Sequence, residues 1–229
     1  MGLFGGGGPG TATGFNEGSV NDCISTYNSE AKNVMNTLQT EFNKVLKALS
    51  SNWGTQEGMT FVTDTFVPNL KKTAEETAET LLQIGKVIKT TGEAQAADTK
   101  NSVSISEPQK AEMGELKNEM KEKLDNGYVG VYDNLKSDVA SAHATMLSNL
   151  NAALGRLQNN VVDKTNVAFV ESGQADQVSA QITTFIQEIQ ASIDSHFATL
   201  QTDIDTFTAD ADTYAHNIQQ AGLRGSATS

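Results

Sequence analysis

The side chains with the greatest capacity for chemistry are three histidines, His143, His196 and His216. A helical metal site needs two ligands on one face, as in the His-x-x-x-His spacing of zinc proteases. No histidine here has another at that spacing, and none follows a glutamate by three positions, as in di-iron bundles. We therefore expect histidines at the surface or at the edge of an apolar face, and no metal site.

The carboxylates and glycines also lack the spacing that catalysis requires. None of the acidic residues lies in an apolar run that would shift its pKa for acid–base work. The chain contains no GxSxG, CxxC or P-loop pattern, and the glycine-rich start follows no strand and precedes no lysine. The sequence thus predicts a non-enzymatic protein with no catalytic residue and no cofactor.

The net charge of −12 limits the classes of partner. Such a chain repels phosphate backbones, so we expect protein partners and no nucleic acid. Residues 165–223 carry eight carboxylates and no Lys or Arg. This acidic stretch is either a solvated helix face or a docking face for a basic partner. Cys23 is the only cysteine and excludes an intrachain disulfide, and its position beside an apolar stripe indicates a half-buried structural thiol.

No stretch approaches the roughly 18 apolar residues of a membrane span, so we expect no stable membrane insertion. The start of the chain lacks the basic and apolar regions of a signal peptide. We expect a secreted or cell-surface protein without a cleaved signal peptide, with a cytoplasmic protein as the alternative. Residues 1–16 are predicted to be a flexible glycine-rich tail, although Gly2–Gly5 could instead form a small apolar anchor.

Apolar residues recur every three or four positions in four long stretches, which is the spacing of amphipathic helices. The first predicted helix covers about Ser19–Ser50. The second resumes near Gln56 and fades after Gly92, with a kink near Val67 because Pro68 follows. The third covers about Pro108–Val162, weakened around Gly127 and Gly130, and the fourth begins near Gln174.

The four stretches predict an all-α protein made of two long helical hairpins, packed as an elongated four-helix bundle. The predicted divisions are a first hairpin over residues 17–95, a polar linker over 96–107, a second hairpin over 108–222 and a loose tail over 223–229.

The reversal between the first two helices contains Trp53-Gly54-Thr55, and Phe61 follows the tryptophan by eight residues. Over residues 17–97, this order of helix, tryptophan–glycine turn, aromatic and second helix resembles the WXG family of type VII secretion substrates. Here glycine directly follows the tryptophan, and Thr55 takes the motif's glycine position. The resemblance implies that Trp53, Gly54, Thr55 and Phe61 form a recognition site for a partner or for the secretion machinery. The Tyr-x-x-x-Asp/Glu export signal is missing, so a partner chain would carry it.

The tryptophan could equally be structural, with its ring buried between the two helix ends. We interpret the chain as a type VII secretion-associated protein, effector-like or chaperone-like, whose two hairpins form a pseudo-dimer. The alternatives are a self-assembling, filament-forming surface protein and a helical membrane-active toxin component.

Overall fold

The computed structural model describes residues 15–54, 56–99, 102–119, 130–131, 134–169 and 173–226. The protein is all-α. Its elements, in chain order, are α1 (Glu17–Asn52), β1 (Trp53–Gly54), α2 (Gln56–Phe61), a π-helix (Val62–Phe66), α3 (Val67–Asp98), β2 (Gly130–Val131), α4 (Leu135–Phe169) and α5 (Ala175–Ser226). The predicted tail lies outside the described residues except for residues 15 and 16, which precede α1.

Helix α1 follows the predicted stripe but starts slightly earlier. Asn16 caps it, because the Asn16 side-chain oxygen accepts from the backbone N–H of Ser19 at 3.1 Å. Every predicted stripe position of this helix is buried: Val20, Ile24, Tyr27, Ala31, Val34, Leu38, Phe42, Val45 and Leu49. The periodicity therefore predicted the buried face of α1 correctly.

The irregularity expected near Pro68 takes the form of a π-helix. The backbone N–H of Val67 donates to the carbonyl of Val62, a step one residue wider than in an α-helix. The wide turn ends directly before α3, which places Pro68 in the first turn of that helix, where its missing N–H is tolerated. Helix α3 then continues to Asp98, beyond the predicted weakening at Gly92.

Residues 102–119 contain no helix, although the sequence predicted that the third helix begins at Pro108. The segment runs extended beside α1 and α3. Side-chain amides of α1 bond its backbone groups and so replace the partners that a helix would provide. These amides belong to Asn21, Asn28, Gln39 and Asn43. The third long helix begins only at Leu135, after the two-residue strand β2.

The second hairpin consists of α4 and α5. The turn that joins them includes Gly173, whose positive φ of 69° lies in the left-handed region that glycine adopts without steric cost. Helix α5 starts one residue after the predicted Gln174 and runs to Ser226, through residues predicted to be a loose tail. The apolar spacing predicted Phe185 on the buried face of this helix; instead, Ile186 is buried and Phe185 is only half-buried.

The contacts divide the chain into two compact units, and the division passes through the long helices rather than between the two hairpins. The first unit comprises Met1–Val34, Ala78–Glu112 and Ala153–Ile189. In it, the Cys23 thiol of α1 donates to the carbonyl of Val161 in α4 at 3.8 Å, and the Gln158 amide of α4 donates to the Thr183 hydroxyl of α5 at 3.0 Å. Segments of all four long helices pack together here.

The second unit comprises Met35–Thr77, Met113–Ala152 and Gln190–Ser229. Its interior contains Phe42 of α1 and Phe197 of α5, with ring centroids 5.8 Å apart. Glu41 of α1 is buried and accepts from the Asn149 amide of α4 at 2.9 Å. Within each unit, the two hairpins therefore pack against each other as a four-helix bundle. Among the described helices, none is both long enough and apolar enough to span a membrane.

Candidate functional site at the tip of the first hairpin

The predicted recognition residues lie where the chain reverses after α1. Trp53 and Gly54 form the short strand β1, which pairs antiparallel with β2, with Trp53 opposite Val131 and Gly54 opposite Gly130. The residue before this strand is also fixed, because the Asn52 amide donates to the carbonyl of Ala48 and to a carboxylate oxygen of Asp138 in α4, both at 2.9 Å. The tip of the first hairpin is thus attached to the chain that leads into the second.

The indole ring of Trp53 is buried, with only 3% of its surface exposed. It packs against the backbone of Gly58 in α2, so closely that a Cβ placed there would lie 2.7 Å from the indole Cδ1 and Nε1 atoms. Gly58 is therefore required for a close approach. This arrangement matches the structural alternative for the tryptophan, in which the ring sets the geometry of the reversal.

Phe61 and Phe66 extend the aromatic cluster along the helix that follows. The ring centroids of Trp53 and Phe61 are 5.4 Å apart, and those of Phe61 and Phe66 are 6.3 Å apart with nearly parallel planes. Phe61 and Phe66 are 5% and 2% exposed. Tilted and offset pairs of this kind each contribute about 0.5–1.5 kcal/mol beyond the burial of their area.

The structure brings two of the four predicted residues into contact, namely Trp53 and Phe61. Gly54 lies beside them as a backbone partner of Gly130, and Thr55 lies outside the described residues. The cluster holds no ionisable group among its described side chains, so it offers shape and apolar surface rather than acid–base chemistry. Its use as a recognition site remains a prediction.

Sequence reasoning missed two residues of this cluster, Gly58 and Phe66, and also the backbone partner of Trp53, Val131. Phe66 falls inside the predicted second helix, beyond the residues predicted to form the tip. The signal for Gly58 was present, because a glycine five residues after a tryptophan can provide a flat surface for the indole ring. Nothing in the sequence indicated that Val131 pairs with Trp53, because strand pairing over such a separation depends on the tertiary structure.

The histidines lie in the second unit. The ring of His143 stacks on Phe197 with centroids 4.9 Å apart, and its Nε2 atom has no hydrogen-bond partner. Burial lowers the pKa of His143 below its ordinary value, and the charge of Asp194 opposes that shift. His143 therefore packs against an aromatic ring, where burial disfavours its charged form. The side chain of His216 lies outside the described part of the chain.

His196 pairs with a carboxylate rather than with another histidine. Its Nε2 atom lies 3.0 Å from a carboxylate oxygen of Glu76 in α3, and Lys72 lies 3.7 Å from the other oxygen of the same carboxylate. His196 and Lys72 line a shallow cleft of about 200 Å³ between α3 and α5. The hydroxyl of Thr73 in this cleft donates to the carbonyl of Asn69 in its own helix, so it is engaged as a structural group. The arrangement joins two helices and presents no activated nucleophile in the described lining.

Burial also makes the one thiol unreactive, since it raises the pKa of Cys23 to about 12, against a smaller opposing effect of Lys164. Among the residues whose side chains the structure describes, no group of three His, Cys, Asp or Glu side chains could hold a metal ion. Comparison of the chain with protein-family models, with curated proteins and with solved structures finds no match.

Proposed function

We propose that the chain is a non-enzymatic helical protein associated with type VII secretion, where it acts as an exported effector-like or chaperone-like partner protein. The observation that carries the proposal is the reversal at Trp53-Gly54, with the tryptophan against Phe61. It has the order of elements that the WXG resemblance implies. In this proposal the protein is secreted or carried at the cell surface without a cleaved signal peptide.

The pairing of the hairpins supports the proposal in a second way. The family resemblance concerns single hairpins, and such a hairpin leaves one apolar face uncovered unless a second hairpin packs on it. Here α4 and α5 cover that face within the same chain, as in the contact of Phe42 with Phe197. We interpret this chain as a pseudo-dimer, in which the buried rings of Trp53 and Phe61 set the shape of the tip that the secretion machinery recognises.

Export is the property to measure. The tagged chain is expressed together with a partner chain that carries the Tyr-x-x-x-Asp/Glu signal, in a Gram-positive host with an active type VII system. The host is used with and without its secretion ATPase, and the culture medium is assayed by immunoblot. We expect the protein in the medium only when the ATPase is present. Equal amounts in both media would contradict the proposal.

A second comparison separates recognition from stability. Trp53→Ala removes a buried ring and is expected to cost about 3–5 kcal/mol of folding free energy. Leu154→Ala, at a fully buried position away from the tip, is expected to cost about 2–5 kcal/mol and is the matched control. If the tip is recognised, Trp53→Ala abolishes export while Leu154→Ala reduces it only in proportion to its soluble fraction. Similar export of the two variants would leave the tip with a structural role alone.

A further inference from the structure

The extended segment has features of a bound peptide. We call its part in the first unit, residues 102–112, the strap. It lies in a groove formed by α1 and α3. The side chain of Asn21 donates to the carbonyl of Ser104 at 3.2 Å and accepts from the N–H of Ser106 at 2.7 Å. Asn28 accepts from the N–H of Gln109 at 2.7 Å. These amides bond the peptide backbone, so they hold an extended chain whatever its side chains.

The floor of the groove is shaped for close approach. A Cβ at Gly85 would overlap both Pro108 of the strap and the ring of Tyr27. A Cβ at Gly92 would lie 2.7 Å from Val20 of α1 and 3.0 Å from Ile105 of the strap. The two glycines are seven residues apart on one face of α3, where glycine disfavours helix. The hydroxyl of Tyr27 donates to the carbonyl of Gln109 at 3.2 Å. The groove thus has two notches that accept apolar side chains.

Charges at the rim fix the register of the peptide. Glu107 forms an ion pair with Lys89, which also lies 3.4 Å from Glu93. Lys110 pairs with Glu79 at 2.6 Å. Three residues of the strap therefore meet a complementary feature of the groove. Glu107 meets Lys89, Pro108 meets Gly85, and Lys110, two positions beyond the proline, meets Glu79.

The strap is held mostly at the surface. Its hydrogen bonds to Asn21 and Asn28 are exposed, and within the strap only Ala111 is buried, at 9% exposure. Segments with few buried apolar contacts open at lower free energy than the core. The strap can therefore detach while the four helices of the unit stay packed.

The local sequence also favours release. Residues 109–113 read Gln-Lys-Ala-Glu-Met, all strong helix formers, and Pro108 before them suits the first turn of a helix. The groove holds this stretch extended against its preference. Such a conflict between local preference and tertiary structure is expected at functional sites. Release would let the stretch regain helix, which lowers the free energy needed to vacate the groove.

We propose that the groove between α1 and α3 is a binding site for an extended segment of a partner protein, in which an acidic residue precedes a proline and a basic residue follows the proline by two positions. The strap occupies this site in cis until such a segment displaces it. Charge complementarity with Lys89 and Glu79 selects the partner, and the amides of Asn21 and Asn28 hold its backbone. This inference is independent of export, because it concerns another face of the first hairpin.

The test uses the full chain and a fluorescein-labelled peptide of residues 102–112, followed by fluorescence anisotropy. In the unmodified chain, the strap competes with the peptide. In the Glu107→Lys/Lys110→Glu variant, the reversed charges of the strap face Lys89 and Glu79 and weaken cis binding. We expect this variant to bind the peptide about tenfold or more tightly than the unmodified chain, because a larger fraction of its grooves is open. In the unmodified chain, far-UV circular dichroism should show a gain of helix when the peptide binds, because the displaced strap regains helix.

A charge-reversed peptide, with the same two substitutions, is the matched control. It should bind the strap variant about tenfold or more weakly than the natural peptide does. The converse chain variant, Glu79→Lys/Lys89→Glu, should prefer the reversed peptide. This exchange of preference identifies the groove as the binding site.

Three outcomes would overturn the inference. The first is that neither peptide binds a folded strap variant at concentrations up to about 1 mM. The second is that both peptides bind equally, which would indicate nonspecific attachment. The third is a strap-dependent dimer by light scattering that excess peptide does not dissociate, which would assign the groove to a second copy of this chain.

Discussion

Substitution of Gly58 by alanine tests whether the packing of Trp53 sets the geometry of the hairpin tip. The new Cβ would lie 2.7 Å from two atoms of the buried indole ring, so the ring or α2 must move. Crowding a packed interior costs about 1–3 kcal/mol. Replacing a helical glycine by alanine returns up to about 1 kcal/mol. The expected net effect of Gly58→Ala is a loss of about 0–2 kcal/mol of folding free energy.

Gly155 provides a matched control for this substitution. It lies inside α4, and a Cβ there would meet no atom within 4 Å. Gly155→Ala should therefore stabilise the protein by up to about 1 kcal/mol through helix preference alone. The two variants carry the same chemical change and should differ in stability by about 1–3 kcal/mol, because only one of them meets the indole ring.

The assay is urea and thermal unfolding, followed by circular dichroism and by tryptophan fluorescence. Trp53 is the only tryptophan of the chain, so its emission reports on the tip directly. For a chain of this size, 1 kcal/mol shifts the melting temperature by about 2–4 °C. We expect Gly58→Ala to melt below Gly155→Ala, with emission altered only in Gly58→Ala. Equal stabilisation by both substitutions, with unchanged emission, would refute the packing argument.

Three further predictions concern the described interior. Cys23 should be inert toward Ellman's reagent in the folded protein and react fully in urea, because burial keeps the thiol protonated. Rapid reaction in native buffer would contradict the burial of this thiol. The free energy of unfolding should fall as the pH drops below about 6.5, because His143 has a lowered pKa in the folded protein and the unfolded chain takes up this proton first. Urea titrations at several pH values should show a smaller fall in His143→Gln. The same dependence of stability on pH in both proteins would contradict this prediction. Asn149→Ala should cost about 1–3 kcal/mol of folding free energy, because it removes a donor from the buried carboxylate of Glu41. Asn160→Ala, which removes the exposed hydrogen bond to Glu30, should cost under about 1 kcal/mol. Similar melting temperatures of the two variants would contradict this difference.

The departures from the sequence-based expectations have identifiable causes. The prediction of helix from Pro108 relied on local preference, which the stretch does possess. It failed because Asn21 and Asn28 bond the backbone of an extended chain and because Gly85 and Gly92 open room for its side chains. Tertiary contacts of this kind routinely override helix preference.

At the tip of the first hairpin, the sequence predicted some features and left others to the tertiary structure. The sequence identified Trp53 and Phe61 as neighbours across a reversal, because turn residues and an eight-residue spacing are local features. It left open whether the ring is buried or exposed. The pairing of Trp53 with Val131 and the approach of Gly58 decide that question, and both depend on how distant segments meet.

The sequence by itself determined the helical class, the buried face of α1 and the reversals near Trp53 and Gly173. These features follow from residue spacing within one or two helical turns, which the chain carries locally. Only the tertiary structure decided that residues 102–119 stay extended, that the tryptophan is buried and that the compact units cut across both hairpins. Those outcomes depend on which surfaces meet and which backbone groups find partners, and spacing along the chain does not encode either.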